Sequence, residues 1–377
     1  MQKVVLLIIS TIILLICIYK LKYPFWHRQP VFHYHNLWYW IVPPGIIQHD
    51  KPEKDKYYDY KIISKTFFSM PLEKKVAFAT FIKRHYMPHK HEKYNPTQES
   101  ILGYFKNHND KSFLSLKYEN NKLISTMSSR PLKCYIENNE MIVNYVDFLC
   151  VHKKHRKKGY APKIIYTHYV NQRDSDKNTV FLFKREGERT LIVPLTIYNN
   201  YMFDTLRWDK KVKFDDKEIQ CLRIHKENFQ QFIYVYERLL QNKKFICLIM
   251  PNLNHIMYLV KTEKIFIFVT LLENEPYDCI IFNNSYTSYN DDKSIECMCS
   301  YKETHESVFV LSFMCALSQI NKIIPFRYIF LENISDNGEI IKKIVKRYSY
   351  NEKISTSYYF YNFGYRPMKS TNVFILN

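Results

Sequence analysis

The chain has 377 residues, of which 46% are hydrophobic, so it can bury a core and is not disordered. Its length exceeds the roughly 250–300 residues that one core usually reaches, so we expect two domains or a large fused pair. The formal net charge of +19 favours anionic partners, while the 6 widely spaced glycines exclude a dinucleotide fingerprint and a Walker A loop.

The chain opens with an apolar segment from Val4 to Tyr19, with Lys20 and Lys22 after it. The segment is slightly shorter than the roughly 20 residues of a comfortable membrane span, and it lacks the small residues of a signal-peptide cleavage site. We interpret residues 1–22 as an uncleaved single-span anchor. Its positive flank would keep the globular part on the cytoplasmic face of a membrane. A buried core segment is the alternative.

Two helices and several strands are predicted next. One helix covers residues 69–87, and another starts at the capping box of residues 95–98. The loop between them carries His85, His89 and His91, which we interpret as polar surface rather than a zinc site. Strands are predicted over residues 113–118, 122–127, 132–137 and 141–151.

The last of these strands runs into a basic loop and then into a helical pattern. The loop contains Lys153, Lys154, Arg156, Lys157, Lys158 and a single Gly159. A helix N-terminus presents unpaired backbone N–H groups and a positive dipole end. The pattern indicates a site for a phosphate-bearing ligand. A nuclear-localisation or nucleic-acid patch and a solvated loop are the alternatives.

A second half with a similar order of elements follows. Strands over residues 179–183 and 191–196 complete the first half. After about residue 206 we predict strands over 243–250, 256–261, 265–272, 277–282, 327–331 and 356–363, and helices over 306–321 and 339–348. The apolar tail, Val373 to Leu376, is expected to pack inside, with a simple edge strand as the alternative.

The 9 cysteines lie mostly in apolar runs, which is typical of reduced, buried thiols in a cytosolic protein. Cys297 and Cys299 have no second pair at zinc spacing, so we predict no metal site.

Three blocks carry a resemblance to a known family. The stretch Phe148-Leu-Cys-Val-His-Lys-Lys-x-Arg-x-Lys-x-x-Ala-Pro162 resembles the signature of the glycylpeptide N-tetradecanoyltransferases (N-myristoyltransferases), which belong to the GNAT acyltransferase superfamily. Phe25-Trp26-x-x-Gln29-Pro30-Val31 resembles their Phe-Trp-x-x-Gln-Pro-Val block. Tyr358-Tyr-Phe-Tyr-Asn-Phe363 resembles the Tyr-Tyr-Leu-Tyr-Asn-Trp run near their end.

The resemblance implies an α+β fold of two tandem GNAT-like acyl-CoA acyltransferase units, each a mixed sheet flanked by helices. After the anchor of residues 1–22, residues 23–205 would form the N-terminal acyl-CoA-binding domain. Residues 206–377 would form the C-terminal peptide-binding domain.

The implied reaction moves a myristoyl group from myristoyl-CoA to the N-terminal glycine amine of peptides or proteins. The backbone N–H groups of Phe148 and Leu149 would polarise the thioester carbonyl, freed from the sheet by a β-bulge. The terminal carboxylate of Asn377 would be the general base, and Tyr86 would contact the peptide. The implied acyl-CoA contacts are Phe25, Trp26, Cys150, Val151, Lys157, Gly159, Tyr160 and Ala161.

Myristoyl-CoA is then a co-substrate, and no further cofactor, metal or nucleic acid is expected; we expect a monomer. Two family features are replaced: the acidic loop by residues 88–91, and the Tyr-Trp-His-Arg block near residues 198–204. These changes favour an alternative, a catalytically degenerate acyl-CoA or acyl-peptide binding protein of the same fold. A short-chain acetyltransferase, suggested by Arg156-x-x-Gly159-x-Ala161, ranks third.

Overall fold

The computed structural model describes residues 2–86, 92–137, 139–175, 179–187, 191–208, 214 and 218–377. The predicted surface loop with His89 and His91 lies outside these residues. The helices are α1 Gln2–Lys22, α2 Trp38–Ile41, α3 Leu72–His85, α4 Gln98–Gly103, α5 Tyr160–Ser175, α6 Phe229–Gln241, α7 Leu253–Lys261, α8 Glu306–Ile323 and α9 Asn337–Ile344.

The strands are β1 Gly45–Ile46, β2 Ile62–Thr66, β3 Glu92–Tyr94, β4 Phe113–Glu119, β5 Lys122–Ile136, β6 Asn139–Val151, β7 Val180–Glu186, β8 Thr196–Asp204, β9 Ile219–Arg223, β10 Cys247–Met250, β11 Ile265–Leu272, β12 Glu275–Asn283, β13 Thr287–Tyr289, β14 Asp292–Tyr301, β15 Tyr328–Glu332, β16 Glu352–Tyr361, β17 Phe363–Gly364 and β18 Val373–Ile375.

One large mixed sheet runs through the molecule. Its main order is β18-β10-β5-β6-β7-β16-β8-β15-β14-β12-β11-β9, and β4 and β2 extend it from β5. The pairs β6·β7 and β14·β15 are parallel, and each is joined by a crossover helix, α5 or α8. Parallel neighbours need such a crossover because a short turn can join only antiparallel strands. The predicted α+β class, with a mixed sheet flanked by helices, is confirmed.

The order of elements repeats along the chain, as predicted. The first series is β2-α3-α4-β4-β5-β6-α5-β7, and the second contains β9-α6-α7-β11-β12-β14-α8-β15. The two series are not separate sheets, since β16 lies between β7 and β8. Strand β10 likewise pairs with β5. A domain boundary at residue 205 therefore stays a prediction.

Two strands predicted over residues 122–127 and 132–137 are one strand, β5. The polar residues between them are buried and bonded rather than forming a turn. Ser128 Oγ donates to the Asp147 carbonyl over 2.9 Å, Ser129 Oγ donates to Gln172 Oε1 over 2.7 Å, and Arg130 pairs with Asp147. Buried hydroxyls with partners cost little, so the strand continues.

The strand predicted over residues 191–196 is wrong. Residues 192–195 form a connector in which the Val193 and Leu195 amides donate to the carbonyls of Phe32 and Tyr358, and β8 begins at Thr196. Pro194 has no N–H to give to a ladder, which explains why the pairing of β8 with β16 starts after it, at Thr196.

The strand predicted over residues 256–261 is also wrong, because this segment belongs to helix α7. Asn252 Oδ1 caps the helix by accepting from the His255 amide over 2.9 Å, and Ile256, Leu259 and Val260 are buried at helical spacing. Helix α6 and strand β14 have no counterpart in the sequence-based prediction. In β14 the polar residues Ser294 and Ser300 are buried, which hid its strand character.

The C-terminal tail packs inside, as predicted. Val373 to Leu376 are at most 2% exposed, and β18 pairs in parallel with β10. The strand lies at one end of the sheet order, so it is an edge strand by position and a core strand by burial.

Helix α1 stands away from this core. Most of its apolar side chains are exposed, with Leu6 and Leu7 each 66% exposed, whereas Tyr19 is buried. Within residues Lys3–Lys22 an 18-residue window reaches a mean hydropathy of 2.8, and by length and composition this helix could cross a membrane.

The second parallel pair, β14·β15, is closed by a buried side chain. Asn337 Nδ2 donates to the carbonyls of Cys297 and Glu332, and Asn337 Oδ1 accepts from Ser300 Oγ over 2.6 Å. Asn337 is 1% exposed. Its amide thus joins the end of β15 to β14 where the two strands stop pairing.

We expect Asn337→Ala to lower the free energy of unfolding by roughly 1–3 kcal/mol, because it leaves buried polar partners unsatisfied. Urea unfolding measures this loss. Gln241→Ala, at an exposed position at the end of α6, is the control and should change stability by less than about 0.5 kcal/mol. Equal losses for the two variants would contradict the assigned role.

Candidate active site

Strands β6 and β7 separate after a short paired segment. Val143 to Tyr145 pair with Val180 to Leu182, and beyond these residues the two strands have no mutual partners. A cavity of about 340 Å³ lies at the split, which is within the usual size range of ligand pockets. It is lined by Trp26, Tyr86, Met127, Val146, Phe148, Leu149, Ile165, His168, Tyr169, Phe181, Phe183, Lys184, Arg185, Ile192 and Tyr361.

The predicted β-bulge is present at Phe148 and Leu149. The register of β5 and β6 passes from Ser128 opposite Asp147 to Thr126 opposite Cys150, so two β6 residues stand against Met127 alone. Phe148 has a φ of 49°, a conformation that is uncommon for a bulky residue and is a mark of functional sites. Its carbonyl accepts from Thr126 Oγ1 over 3.1 Å.

The aromatic ring of Phe148 anchors the bulge. It is buried, and its centroid lies 5.9 Å from that of Phe78 and 5.4 Å from that of Tyr86. Leu149 is 37% exposed and lines the cavity. The ring of Phe148 thus holds one bulge residue in the core, while its neighbour Leu149 lies at the cavity wall. Burial raises the pKa of the Tyr86 hydroxyl, so it stays protonated.

The basic loop follows β6 and ends at the N-terminus of α5. Lys157 and Gly159 both have a positive φ, of 61° and 78°, and a Cβ at Gly159 would meet nothing within 4 Å. Arg156 Nε donates to the Val151 carbonyl over 3.2 Å, which ties the loop to the end of the strand. Lys153, Lys154, Lys157 and Lys158 are exposed, and none has a carboxylate partner among the described residues.

Backbone N–H groups at a helix start, together with unpaired lysines, form a site that attracts phosphate. Tyr160 OH donates to Glu119 Oε1 over 2.5 Å, which orients the first turn of α5. Cys150 and Val151 lie on the strand side of the loop. Burial raises the pKa of the Cys150 thiol to about 12, so it is not a nucleophile near neutral pH.

The block that starts at Phe25 forms one wall of the cavity. Trp26 lines the cavity and stacks on Phe183 with 5.8 Å between ring centroids. Gln29 is buried, and it donates to the Phe25 carbonyl and accepts from Tyr361 OH over 2.6 Å. The glutamine therefore joins the first sequence block to the third.

The block from Tyr358 to Phe363 forms another part of the cavity wall. Tyr361 lines the cavity, and Tyr359 stacks on Phe183 with 5.1 Å between centroids. Asn362, with a φ of 64°, accepts from the Gln48 amide and donates to the carbonyls of Gln48 and Thr179. It thus fixes the end of β16 beside the start of β7.

The chain terminus lies on the same sheet, next to the third block. The Leu376 amide donates to the Ile249 carbonyl over 2.8 Å, and Tyr358 OH donates to Asn377 Oδ1 over 3.2 Å. Asn377 is half-buried. It is not one of the described residues that line the cavity, and neither are Phe25, Cys150, Val151, Lys157, Gly159, Tyr160 or Ala161.

A charged network missed by the sequence analysis joins the cavity wall to the terminus. Lys184, which lines the cavity, pairs with Glu332 and, over 3.6 Å, with Glu296. Glu332 accepts from Tyr198 OH over 2.6 Å, and Tyr198 stacks on Tyr358. Lys184 and Glu332 are 148 residues apart in the chain, so no local pattern could reveal the pair.

Burial raises the pKa of Glu332 to about 8, and the neighbouring Glu296 adds to the effect. Burial alone would lower the pKa of Lys184, but the attraction of Glu332 and Glu296 holds it well above its ordinary value. Two carboxylates facing one ammonium retain one proton near neutral pH. Glu332 is the group that holds it.

This assignment predicts a loss of stability with rising pH. The ordinary pKa of a glutamate is 4.5, so between pH 4.5 and about 8 the folded state binds one proton more than the unfolded state, and stability falls as pH rises through this window. Between pH 7 and 9 this group should cost about 1.4 kcal/mol. Urea unfolding at pH 7, 8 and 9 should show the decline in the natural chain and a smaller one in Glu332→Gln. Parallel declines in both proteins would show that another group titrates.

A family model matches part of the chain. Residues 69–180 match the family model of the N-terminal domain of myristoyl-CoA:protein N-myristoyltransferase. Comparison with curated proteins gives no significant match.

Solved structures match almost the whole chain. The Saccharomyces cerevisiae N-myristoyltransferase with bound myristoyl-CoA aligns with a TM-score of 0.70 and 15% identity, over 92% of this chain and 94% of that chain. A second structure of the yeast enzyme with myristoyl-CoA gives a TM-score of 0.71 and 13% identity, over 93% and 90% of the two chains. A third, with myristoyl-CoA and inhibitors, gives 0.70 and 14%, over 92% and 91%.

The predicted resemblance is confirmed: residues 69–180 match the family model of the N-myristoyltransferase N-terminal domain, and over the aligned length the chain has the fold of the yeast N-myristoyltransferase.

Proposed function

We propose that the protein is an N-myristoyltransferase, which moves a myristoyl group from myristoyl-CoA to the N-terminal glycine amine of a peptide or protein. The observation that carries the proposal is the juxtaposition of three features around the β6–β7 split. They are an apolar cavity, a bulge at Phe148 and Leu149, and a basic loop at the start of α5.

The acyl chain would occupy the cavity, where Trp26 and Phe183 supply apolar walls. The CoA phosphates would lie on the basic loop, held by Lys157 and by the amides near Gly159 and Ala161. The thioester carbonyl would then reach the bulge. Backbone N–H groups of Phe148 and Leu149, which have no partner residues on β5, would stabilise the oxyanion.

The acceptor amine must lose a proton before or during its attack on the thioester carbon. The Asn377 carboxylate would take one proton from the ammonium, the C–N bond would form, and the C–S bond would break, with a second proton passing from the nitrogen to the thiolate so that CoA leaves as the thiol. Tyr358, which bonds the Asn377 side chain, would position the terminal residue. Tyr86, packed on Phe148, would contact the peptide from the α3 side.

The N-terminal helix extends this proposal to the location of the protein at a membrane. Helix α1 is long and apolar enough to span a bilayer; Lys20 and Lys22 lie in its last turn, and Arg28 follows it. A positive flank on the C-terminal side would keep the globular part on the cytoplasmic face. The enzyme would therefore work beside the membrane that its myristoylated products join.

Adding one glycine after Asn377 should abolish the proposed base without touching the cavity. We expect kcat for transfer of labelled myristoyl to Gly-initiated peptides to fall by roughly 10²–10⁴-fold, the usual contribution of a general base. The Kd for myristoyl-CoA should stay within about twofold. Binding without transfer in the natural chain would instead identify an acyl-CoA-binding protein without catalysis.

Neutralising Lys157 and Lys158 tests the phosphate site. The double variant Lys157→Gln, Lys158→Gln should bind myristoyl-CoA roughly 10-fold or more weakly, because each charged contact to phosphate contributes about 1.5–3 kcal/mol. The loss should shrink at high salt. The control is Lys346→Gln, which changes an exposed lysine of the second half and should leave the Kd unchanged. An equal loss of affinity in this variant would contradict the phosphate site at Lys157 and Lys158.

A further inference from the structure

An exposed apolar turn lies at the base of the N-terminal helix, and none of the described residues covers it. Helix α2 presents Trp38 and Ile41, which are 66% and 73% exposed, and Leu37 just before it is 72% exposed. We call these three residues the apolar foot. Three large apolar side chains within five residues form a patch rather than a set of scattered exposed residues.

The other side of the same turn is fixed to the protein. The rings of Tyr39 and Trp40 lie 5.7 Å and 5.0 Å from that of Phe32, measured between centroids. Trp40 Nε1 also donates to the Tyr34 carbonyl over 3.3 Å. The inward residues hold the turn in place, so the foot is a built surface and not a frayed end.

The foot is joined to the last turn of α1. Tyr19 is 3% exposed, and its ring centroid lies 5.7 Å from those of His33 and His35. Its hydroxyl bonds His33 Nδ1 over 3.3 Å. The segment that receives Tyr19 thus ends within a few residues of Leu37, which places the foot beside the point where α1 leaves the core.

The charges around this point match a lipid surface. Lys20, Lys22 and Arg28 are exposed, and none forms an ion pair with a described carboxylate. Tryptophan and tyrosine favour the membrane–water interface, and lysine and arginine favour anionic headgroups there. The exposed apolar residues of the foot adjoin those of helix α1. A second protein chain bound at the foot would not explain this continuity, whereas a bilayer contacts both.

We propose that Leu37, Trp38 and Ile41 insert into the headgroup–acyl boundary of the bilayer that α1 spans, as a second contact beside the anchor. This inference rests on the anchor in the proposed function and adds an orientation to it. One helix alone lets the body swivel, whereas two contacts fix which side faces the lipid.

The orientation bears on the acyl site. Trp26, in the wall of the cavity, follows Lys22 by four residues, a reach of at most about 14 Å even in an extended chain. The acyl cavity is therefore held close to the bilayer surface. Acyl-CoA taken from that surface, and an acylated product returned to it, would travel a short path through water.

Site-specific photocrosslinking in the full chain tests the foot. The chain is placed in nanodiscs of phosphatidylcholine and phosphatidylserine, with benzoylphenylalanine at position 38 or 41. Phe68, also 66% exposed and on the connection between β2 and α3, is the matched control, and Leu7 reports on the anchor. Lipid adducts are counted by mass spectrometry after irradiation. We expect at least fivefold more adducts at positions 38 and 41 than at position 68.

Each outcome separates this inference from the proposed function. Adducts at position 7 with only control levels at 38 and 41 overturn the foot and leave the anchor standing. Crosslinks from 38 or 41 to a second copy of the chain overturn it in favour of a protein interface. Absence of adducts at position 7 refutes the anchor and the foot together. The readout needs no turnover, so a chain that crosslinks to lipid but transfers no myristoyl supports the foot and refutes the enzyme.

Discussion

The separation of β6 from β7 is the constraint on which the candidate site depends. A parallel pair within a sheet would normally continue its ladder, but here pairing stops after Tyr145 and Leu182. The backbone groups beyond that point become available, and the space between the strands becomes a cavity. The bulge at Phe148 and Leu149 lies on one arm of this split, and Phe183 and Lys184 lie on the other.

The split is stable because side chains from distant segments fill its margins. Gln29 joins the Phe25 carbonyl to Tyr361, and Asn362 joins β16 to the segment at Gln48 and to Thr179. These amides give hydrogen-bond partners to backbone groups of Phe25, Gln48 and Thr179 beside the site, which matters because a buried group without a partner costs about 1–3 kcal/mol. The glutamine of the first block and the asparagine of the third are therefore structural parts of the site.

The second half contains a corresponding split between two parallel strands, but hydrogen bonds close it. Its parallel pair, β14·β15, also stops pairing part-way along, after Cys297 and Leu331. There Asn337 and Ser335 bond across the gap, through Ser300 and the Cys297 carbonyl. The repeat of elements therefore does not imply a repeated ligand site. In the described residues the first split is lined by aromatic side chains and the second is held shut by hydrogen bonds.

The sequence by itself determined the local features of this protein. It predicted the apolar N-terminal helix, the basic loop before α5, the repeated order of elements and the buried tail, because each depends on residues close together in the chain. The α+β class was implied by the resemblance to a known family. Only the tertiary structure decided that β5 is continuous and that Lys184 pairs with Glu332. Those outcomes depend on partners brought together by the sheet, such as Asp147 for Arg130. Local patterns show the propensity and periodicity of a segment. A buried charge or hydroxyl, in contrast, is stable only where a partner from a distant part of the chain bonds it, and local patterns do not show that partner.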